Sequence, residues 1–579
     1  MKYLFPALLL FLLFRTTTLA DIPVIQSMVE YQNVILDSGG PLLEEQAAID
    51  IHFYDLDIDI NPEERSIRGI VETHATVRQQ LSRFIAHLDS VFTVEMVVDS
   101  RDYSKSMPLD FIHENGLVVA ELDEALSPGS EIRITIHYSG KPRIAPNPPW
   151  EGGFTWERTT ENKPWIGVSC QVNGADIWWP VKDHPSDRPD SVSIKITVPA
   201  GLKAVSNGLL RSAKIREDSA RTFHWVTNSP INNYAVTVNI GPYAEIMDYF
   251  TSISGDVFPI YFWALPENKQ KAVVLMDQVK NQMLFFEKLL GPYPYRHEKF
   301  GVVETPFFGM EHQTIIAYGA GYQNDTVFDT NSGFDDLHHH ELAHEWWGNL
   351  LAAYDWKDFW IHEGFATYMQ PLYAEYLHGK DQYQYFMKRL YQRILNDIPV
   401  APKSSRSTRQ MYQGRDIYMK GAWILHSLRN LIGDDAFFRA LLEMTYPGSL
   451  AFTDEPFSLH TGFASGFSGH EPLTPARFID TDDVISVFES VSGKDLDWFF
   501  EVYLRHNELP ELEKSWHDDR LALQWKVPSG KTFPMPVEVY VGNKRHIVVP
   551  EEKTFLTVPD REQLMIDPDQ KVLRARMYP

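Results

Sequence analysis

Two histidines flank a glutamate in the segment His340-Glu341-Leu342-Ala343-His344, and this spacing predicts an α-helix that binds a metal ion. On an α-helix, residues four apart lie on the same face, so His340 and His344 can direct two imidazole nitrogens at one ion. Glu341 is rotated by about 100° around the same helix. We therefore expect its carboxylate beside the metal rather than on it, where it can take a proton from water.

A catalytic zinc takes three protein ligands and leaves one position for water. Glu363 is the candidate third ligand, and 18 residues separate it from His344. This length allows the first helix to end, a turn to form at 352–355, and a second helix to return. The hypothesis is one Zn²⁺ ion per chain, held by His340, His344 and Glu363. The short histidine motif alone leaves open an amphipathic helix with incidental histidines, and Glu363 argues against that alternative.

The composition of the 579-residue chain indicates a multidomain globular protein, with 44% hydrophobic and 13% aromatic residues. Its formal net charge of −25 argues against nucleic acid as a partner, because phosphate binding needs a basic surface. The acidity favours solubility, and attraction of cationic substrates is the alternative interpretation. The single cysteine, Cys170, allows no internal disulfide, and we expect it to be a buried small residue rather than a nucleophile.

The first residues have the organisation of a secretory signal peptide. Lys2 precedes an apolar run at 3–14, and Thr18-Leu19-Ala20 supplies small residues for signal peptidase. We predict cleavage after Ala20 and export of the remainder to the periplasm or the extracellular space. An uncleaved anchor is the alternative, but the apolar run is too short for a stable membrane span and no other segment qualifies. We therefore expect no stable membrane span after signal cleavage.

Hydrophobic periodicity divides the rest of the chain into three parts. We predict a β domain, a mostly helical domain and a small β-sandwich, at 21–245, 246–506 and 507–579 respectively, after the signal peptide at 1–20.

The evidence for this division is the change of hydrophobic period along the chain. Apolar residues alternate with aspartates from Tyr54 to Ile60, which is typical of a half-buried strand. Helical spacing begins after Pro266 and ends at Gly291-Pro292. A glycine- and serine-rich stretch at 461–469 is predicted as a long loop, and after Pro510 the period returns to two.

Three further segments combine with the metal motif into a family resemblance: Phe308-Gly309-Met310-Glu311-His312, Tyr418-Met419-Lys420-Gly421 and Ser169-Cys170-Gln171. The chain resembles the zinc aminopeptidases of the aminopeptidase N and leukotriene-A hydrolase family over nearly all of the sequence after the signal peptide. The resemblance implies a multidomain α+β fold. Its expected domains are a saddle-shaped N-terminal β domain, a thermolysin-like, mostly helical catalytic domain and a C-terminal β-sandwich.

The resemblance also implies roles for residues that spacing alone would not single out. In the family, the segment matching Gly309 and Met310 runs along the substrate as an edge strand. Its glutamate, here Glu311, holds the free α-amino group, and the position of Gln171 assists it. Tyr418 is implied to donate a hydrogen bond to the oxyanion of the tetrahedral intermediate. The implied substrates are peptides with a free N-terminus.

Three residues depart from the family pattern. Many relatives have Asn where His312 stands, and Glu where Met419 and Gln370 stand. The change at His312 concerns the contact between the edge strand and the substrate, whereas the glutamate before it is kept. We attach no mechanism to the change at Gln370.

The expected reaction is removal of one N-terminal residue, with Glu341 as the general base acting on zinc-activated water. Epoxide hydrolysis is an alternative within the family. It relies on a further C-terminal helical domain and on an acidic residue shortly before the tyrosine, where this chain has Gln410. A non-catalytic binding or scaffold protein on the same fold is an alternative of another class. Such a protein is expected to lose zinc ligands or the base, and this chain has all four residues.

Overall fold

The computed structural model of the protein describes residues 37–102, 106–413, 415–452, 457–460, 476–550 and 553–577. The predicted signal peptide and the loop predicted at 461–469 lie outside these residues. Within them, a β-rich part precedes a mostly helical part and a second β-rich part, which confirms the predicted fold class. The domain boundaries given above stay predictions.

The described residues of the N-terminal part form one short α-helix and three sheets. Its elements are α1 (Glu44–Ala47), β1 (Ile49–Asn61), β2 (Ser66–Val77), β3 (Leu81–His87), β4 (Phe92–Asp99), β5 (Met107–Pro108), β6 (Phe111–Glu114), β7 (Leu117–Leu126), β8 (Glu131–Gly140), β9 (Gly153–Arg158), β10 (Pro164–Ser169), β11 (Ser191–Val198), β12 (Lys203–Val205), β13 (Leu209–Ile215), β14 (Arg221–Thr227) and β15 (Asn239–Gly241). The sheets have the strand orders β13-β14-β11-β1-β2-β8-β4-β5, β3-β7-β6 and β12-β15-β10-β9.

Strand β1 confirms the prediction of a half-buried strand. Tyr54 and Leu56 are fully buried on one face, and β1 pairs in parallel with β11 and antiparallel with β2. On the other face, Asp55 forms an ion pair with Lys195 of β11, at 2.7 Å. The alternating aspartates are therefore the solvated face of the strand.

The middle part combines helices with a second group of strands. Its elements are β16 (Ala244–Thr251), β17 (Val257–Ala264), α2 (Lys269–Leu290), β18 (Phe300–Glu304), β19 (Gly309–Met310), β20 (Ile316–Tyr318), α3 (Asp336–Ala343), β21 (Leu351–Ala353), α4 (Trp360–His378), α5 (Lys380–Tyr391), α6 (Thr408–Tyr412), α7 (Met419–Ile432), α8 (Asp434–Thr445), β22 (Arg477–Ile479), α9 (Thr481–Ser492) and α10 (Asp497–Leu504). Short 3-10 helices lie at Ala175–Ile177, Asn233–Ala235, Pro266–Asn268, Trp356–Asp358, Ser449–Phe452, Pro528–Gly530 and Arg561–Gln563.

Strands β16 to β20 form one sheet in the order β16-β17-β18-β20-β19, so β19 lies at its edge, as the resemblance implied. The turn predicted at 352–355 is only partly correct. Its first residues belong to β21, which pairs in parallel with β22. Because the partner strand lies more than a hundred residues further along the chain, no local pattern indicates this pairing.

The C-terminal part consists of two three-stranded antiparallel sheets, in agreement with the predicted β-sandwich. Their strands are β23 (Glu511–His517), β24 (Arg520–Lys526), β25 (Val537–Val541), β26 (Lys544–Val548), β27 (Thr554–Thr557) and β28 (Leu564–Ile566). The strand orders are β23-β24-β27 and β26-β25-β28. Among the described helices, none combines the length and the apolar character needed to cross a bilayer.

Candidate active site

All the site residues predicted from the sequence line one cavity of about 410 Å³. The cavity lies where the loop after β10 meets the edge strand β19 and the helices α3, α4 and α7. The residues are Gln171, Gly309, Met310, Glu311, His340, Glu341, His344, Glu363 and Tyr418. Side chains from five separate stretches of the chain therefore converge at one place.

The three predicted metal ligands face one another. His340 lies in α3, His344 directly follows the end of α3, and Glu363 lies in the first turn of α4. The Nε2 atoms of the two histidines are 3.2 Å apart. Oε2 of Glu363 lies 3.4 Å from Nε2 of His340 and 3.5 Å from Nε2 of His344.

These separations fit a shared metal ion. Two ligands at about 2.0–2.2 Å from a tetrahedrally coordinated ion lie about 3.3–3.6 Å apart. Oε2 of Glu363 is buried and has no hydrogen-bond partner among the described residues, which leaves it available to a cation. Nδ1 of His344 donates to the Trp347 carbonyl at 2.8 Å, so the lone pair of the neutral ring is on Nε2, facing Glu363. The cluster therefore has the donor set and the spacing of a divalent metal site.

Helix α3 begins where the sequence provides a cap. The Asp335 carboxylate accepts a hydrogen bond from the His338 amide at 2.9 Å, which satisfies one of the unpaired donors of the first turn. Gln370, in α4, donates from Nε2 to the Asp336 carbonyl at 2.8 Å. The departure at Gln370 thus has a structural role, because it ties the helix of Glu363 to the helix of His340.

The candidate base lies against the edge strand. A Cβ atom built on Gly309 would come within 2.7 Å of Oε1 of Glu341, so only glycine leaves room for this carboxylate. Burial and the nearby Glu311 raise the pKa of Glu341 well above its usual value. Burial also tends to raise the pKa of Glu363, but the facing imidazoles, His344 foremost, hold it below its usual range. The pKa values of these two neighbouring carboxyl groups are thus shifted in opposite directions by their surroundings.

A second carboxylate stands beside an amide in the same cavity. Nε2 of Gln171, just after β10, donates a hydrogen bond to Oε1 of Glu311, which follows β19. Nδ2 of Asn349 donates a hydrogen bond to the Glu311 backbone carbonyl at 3.0 Å. Burial, with a further contribution from Glu363, raises the pKa of Glu311 to about 7. A cationic ligand at this carboxyl group would favour its ionised form.

Tyr418 lies just before α7, and its ring stacks on that of His340 with centroids 6.1 Å apart.

Two glycines allow helix α7, which follows Tyr418, to lie close to helix α4. A Cβ atom on Gly421 would lie 2.9 Å from Cα of Gly364, closer than real Cβ contacts. The glycines that follow the tyrosine and the third ligand therefore set the distance between their helices.

The cavity also contains residues that the sequence did not single out, among them Trp150, Arg393, Tyr412 and Arg415. Tyr412 is the most closely connected of them, because its hydroxyl contacts both Gln171 and Tyr418. No motif spacing marks these positions. Only their position in the folded chain brings them to the cavity.

Two other residues considered in the sequence have structural roles. Cys170 is fully buried, its thiol donates to the Tyr234 carbonyl at 3.3 Å, and burial raises the thiol pKa, as expected for a packing residue. Gln410 forms a capping box with Ser407 at the start of α6, where Oε1 of Gln410 accepts from the Ser407 amide at 3.1 Å.

A β-rich N-terminal part beside a helical part, with three metal-binding side chains and an adjacent glutamate on two helices, defines the architecture of a thermolysin-like metallopeptidase. Comparison with known proteins agrees. The Peptidase M1 N-terminal domain matches residues 51–235, and the Peptidase family M1 domain matches residues 274–446. The chain belongs to the M1 family of peptidases.

Several curated proteins are similar in sequence. A leucyl aminopeptidase of Saccharolobus solfataricus is 26% identical over 296 residues, covering 48% of this chain and 36% of that protein. Human endoplasmic reticulum aminopeptidase 1 is 25% identical over 419 residues, covering 68% of this chain and 43% of that protein. The chain thus spans less than half the length of these relatives.

Among solved structures, a mutant M1 zinc metallopeptidase from Deinococcus radiodurans, bound to a Tyr-Ser-Ala substrate, matches with a TM-score of 0.62. The sequence identity is 22%, and the match covers 82% of this chain and 98% of that chain. At this identity, the likeness concerns the fold.

Proposed function

We propose that the protein is a zinc-dependent aminopeptidase that removes the N-terminal residue from peptides. One observation carries the proposal: a three-ligand metal cluster and a carboxylate–amide pair suited to an ammonium group lie in the same cavity. The aminopeptidases among the curated relatives support the same reaction.

His340, His344 and Glu363 would hold the zinc ion, which would supply a Lewis acid for the scissile carbonyl and lower the pKa of water. Glu341 accepts a proton from the attacking water and then delivers it to the leaving amine. Burial and the nearby Glu311 raise the pKa of this carboxyl group, which makes Glu341 a stronger base for the first step. Tyr418 donates its hydroxyl proton in a hydrogen bond to the oxygen on which negative charge develops.

The pair of Glu311 and Gln171 makes the enzyme an exopeptidase. An ionised carboxylate at the end of the cavity binds the substrate α-ammonium by charge-assisted hydrogen bonds. This contact fixes the register, so that the first peptide bond, and no later one, lies at the metal ligands. An acylated N-terminus has no ammonium and leaves the buried Glu311 carboxylate without a cationic partner.

The alternatives have less support. Gln410 is occupied in a helix cap, so the acidic residue on which epoxide hydrolysis depends is not present at this position. A non-catalytic role is not favoured either, because the ligands, the base and the tyrosine all line one cavity.

The test is hydrolysis of an aminoacyl p-nitroanilide by the purified protein, with the N-acetylated analogue as control. We expect release of p-nitroaniline from the free amine only, loss of activity with a chelator, and recovery on addition of Zn²⁺. Glu341→Gln should retain zinc and lose about 10³-fold or more in kcat. Equal cleavage of the acetylated compound, or full activity in the metal-free protein, would refute the proposal.

The sequence of residues 1–20 supports a further proposal, that the protein is exported and cleaved after Ala20. N-terminal sequencing of the protein recovered outside the cytoplasm should begin at Asp21. Recovery with an intact Met1 would favour an uncleaved anchor instead.

A further inference from the structure

Tyr412 connects the two ends of the candidate active site. Its hydroxyl lies 3.0 Å from Oε1 of Gln171 and 3.1 Å from the hydroxyl of Tyr418. Gln171 in turn contacts Glu311. We propose that Tyr412 is a positioning residue that holds the Tyr418 hydroxyl in place and couples it to the group that binds the substrate ammonium. The inference rests on the proposed aminopeptidase function.

The chemistry of each group gives this chain of hydrogen bonds one direction. An ionised carboxylate only accepts, so the amide nitrogen of Gln171 must face Glu311 and its carbonyl oxygen must face Tyr412. Tyr412 therefore donates its single proton to Gln171. Its oxygen is then left to accept the proton of Tyr418. Each hydrogen bond of this chain is therefore donated in the direction that leads from Tyr418 to Glu311.

The direction has a consequence for the reaction. In the absence of substrate, the Tyr418 proton is engaged by Tyr412, which fixes the rotation of the hydroxyl and places its oxygen. When charge develops on the scissile carbonyl, the Tyr418 hydroxyl donates its hydrogen bond to the oxyanion instead, and the proton stays on the tyrosine oxygen. An ammonium group bound at Glu311 contacts the carboxylate that orients Gln171, and Gln171 in turn orients Tyr412.

Tyr412 is itself held firmly, as a positioning residue must be. It is the last residue of α6, and its ring packs edge-on against Phe359 with centroids 5.4 Å apart. The carboxylate of Asp37 accepts from the Thr408 hydroxyl at 3.0 Å and from the Arg409 amide at 2.7 Å. Asp37 thus fixes the first turn of this short helix through two hydrogen bonds.

The experiment is a double-mutant cycle on Tyr412→Phe and Tyr418→Phe, with kcat and KM measured on an aminoacyl p-nitroanilide. Phenylalanine keeps the ring and its packing and removes only the hydroxyl. We expect Tyr412→Phe to lower kcat about tenfold with little change in KM, because a displaced donor stabilises the oxyanion less well. In the Tyr418→Phe background, removal of the Tyr412 hydroxyl should have no further effect.

Tyr503→Phe is the matched control. It removes another buried tyrosine hydroxyl, which donates to the Leu573 carbonyl at 2.6 Å, far along the chain from the cavity residues. This variant should keep the wild-type kcat. Thermal melting of all variants separates a loss of folded protein from a loss of turnover.

The outcomes distinguish this inference from the proposed function. An active wild-type enzyme whose Tyr412→Phe variant keeps full kcat would overturn the inference alone. So would a double variant in which the two losses multiply, because Tyr412 would then act independently of Tyr418. A wild-type protein that cleaves no aminoacyl substrate would overturn the proposed function, and this inference with it.

Discussion

Replacement of His312 by asparagine should make the stability of the protein less sensitive to acid. The imidazole is fully buried, and neither ring nitrogen has a hydrogen-bond partner among the described residues. Burial lowers its pKa from 6.5 to about 3. The unfolded chain therefore binds a proton at this residue at pH values where the folded protein does not. Stability is lost as the pH falls from the unfolded pKa towards the folded one.

The size of this effect follows from the two pKa values. At about pH 4.5, an imidazole with a pKa of 6.5 is protonated about 100:1, whereas one with a pKa of about 3 is almost entirely neutral. The unfolded state is then favoured by RT ln 100, or about 2.7 kcal/mol, relative to neutral pH. Asparagine does not titrate, so His312→Asn should remove this contribution.

The measurement is urea unfolding of both proteins at about pH 7.5 and about pH 4.5. We expect the fall in unfolding free energy between these pH values to be about 2.7 kcal/mol smaller in His312→Asn than in the wild type. Any loss of packing in His312→Asn lowers the unfolding free energy equally at both pH values, so it does not affect the fall between them. His517→Asn, which removes an exposed imidazole from the end of β23, should behave like the wild type. Equal falls in His312→Asn and the wild type would refute the reasoning.

Three further changes test the packing and chemistry of the cavity. Gly309→Ala places a methyl group 2.7 Å from the Glu341 carboxylate, and should lower kcat at least tenfold with unchanged zinc content by elemental analysis. Gly421→Ala places a methyl group 2.9 Å from Cα of Gly364, and should lower the unfolding free energy in urea by about 1–3 kcal/mol. Glu363→Ala removes one of three ligands, and should release zinc to a chelator at concentrations that leave the wild type loaded; retention of zinc would show that another residue is the third ligand.

The metal-ligand candidates, which the sequence predicted to lie together and which do so in the structure, depend on local geometry. His340 and His344 share a helical face because they are four residues apart, and Glu363 returns on the next helix. These relations are fixed by helix geometry and by short connections. A single sequence is sufficient to identify them. The family resemblance extended the prediction to Glu311 and Tyr418, which carry no local pattern of their own.

The parts that could not be predicted depend on contacts between distant segments. Tyr412 meets Gln171 across 241 positions of the sequence, and Gln370 meets the Asp336 carbonyl across 34. Such contacts arise from the packing of whole sheets and helices, which hydrophobic periodicity does not specify. The same limit explains why a simple turn was expected at 352–355, whereas its first residues belong to β21, which pairs with β22.

The residues that local geometry predicts and those that it does not predict belong to two different parts of the site. The candidate metal ligands and the candidate base come from one stretch of 24 residues, His340 to Glu363, so this part of the site is a local unit of the fold. The proposed ammonium site joins Gln171, after β10 of the N-terminal part, to Glu311, after β19 of the helical part. In the proposed function, selection of a free N-terminus therefore requires the two parts to pack together, whereas the candidate metal site needs only α3, the residue after it and α4.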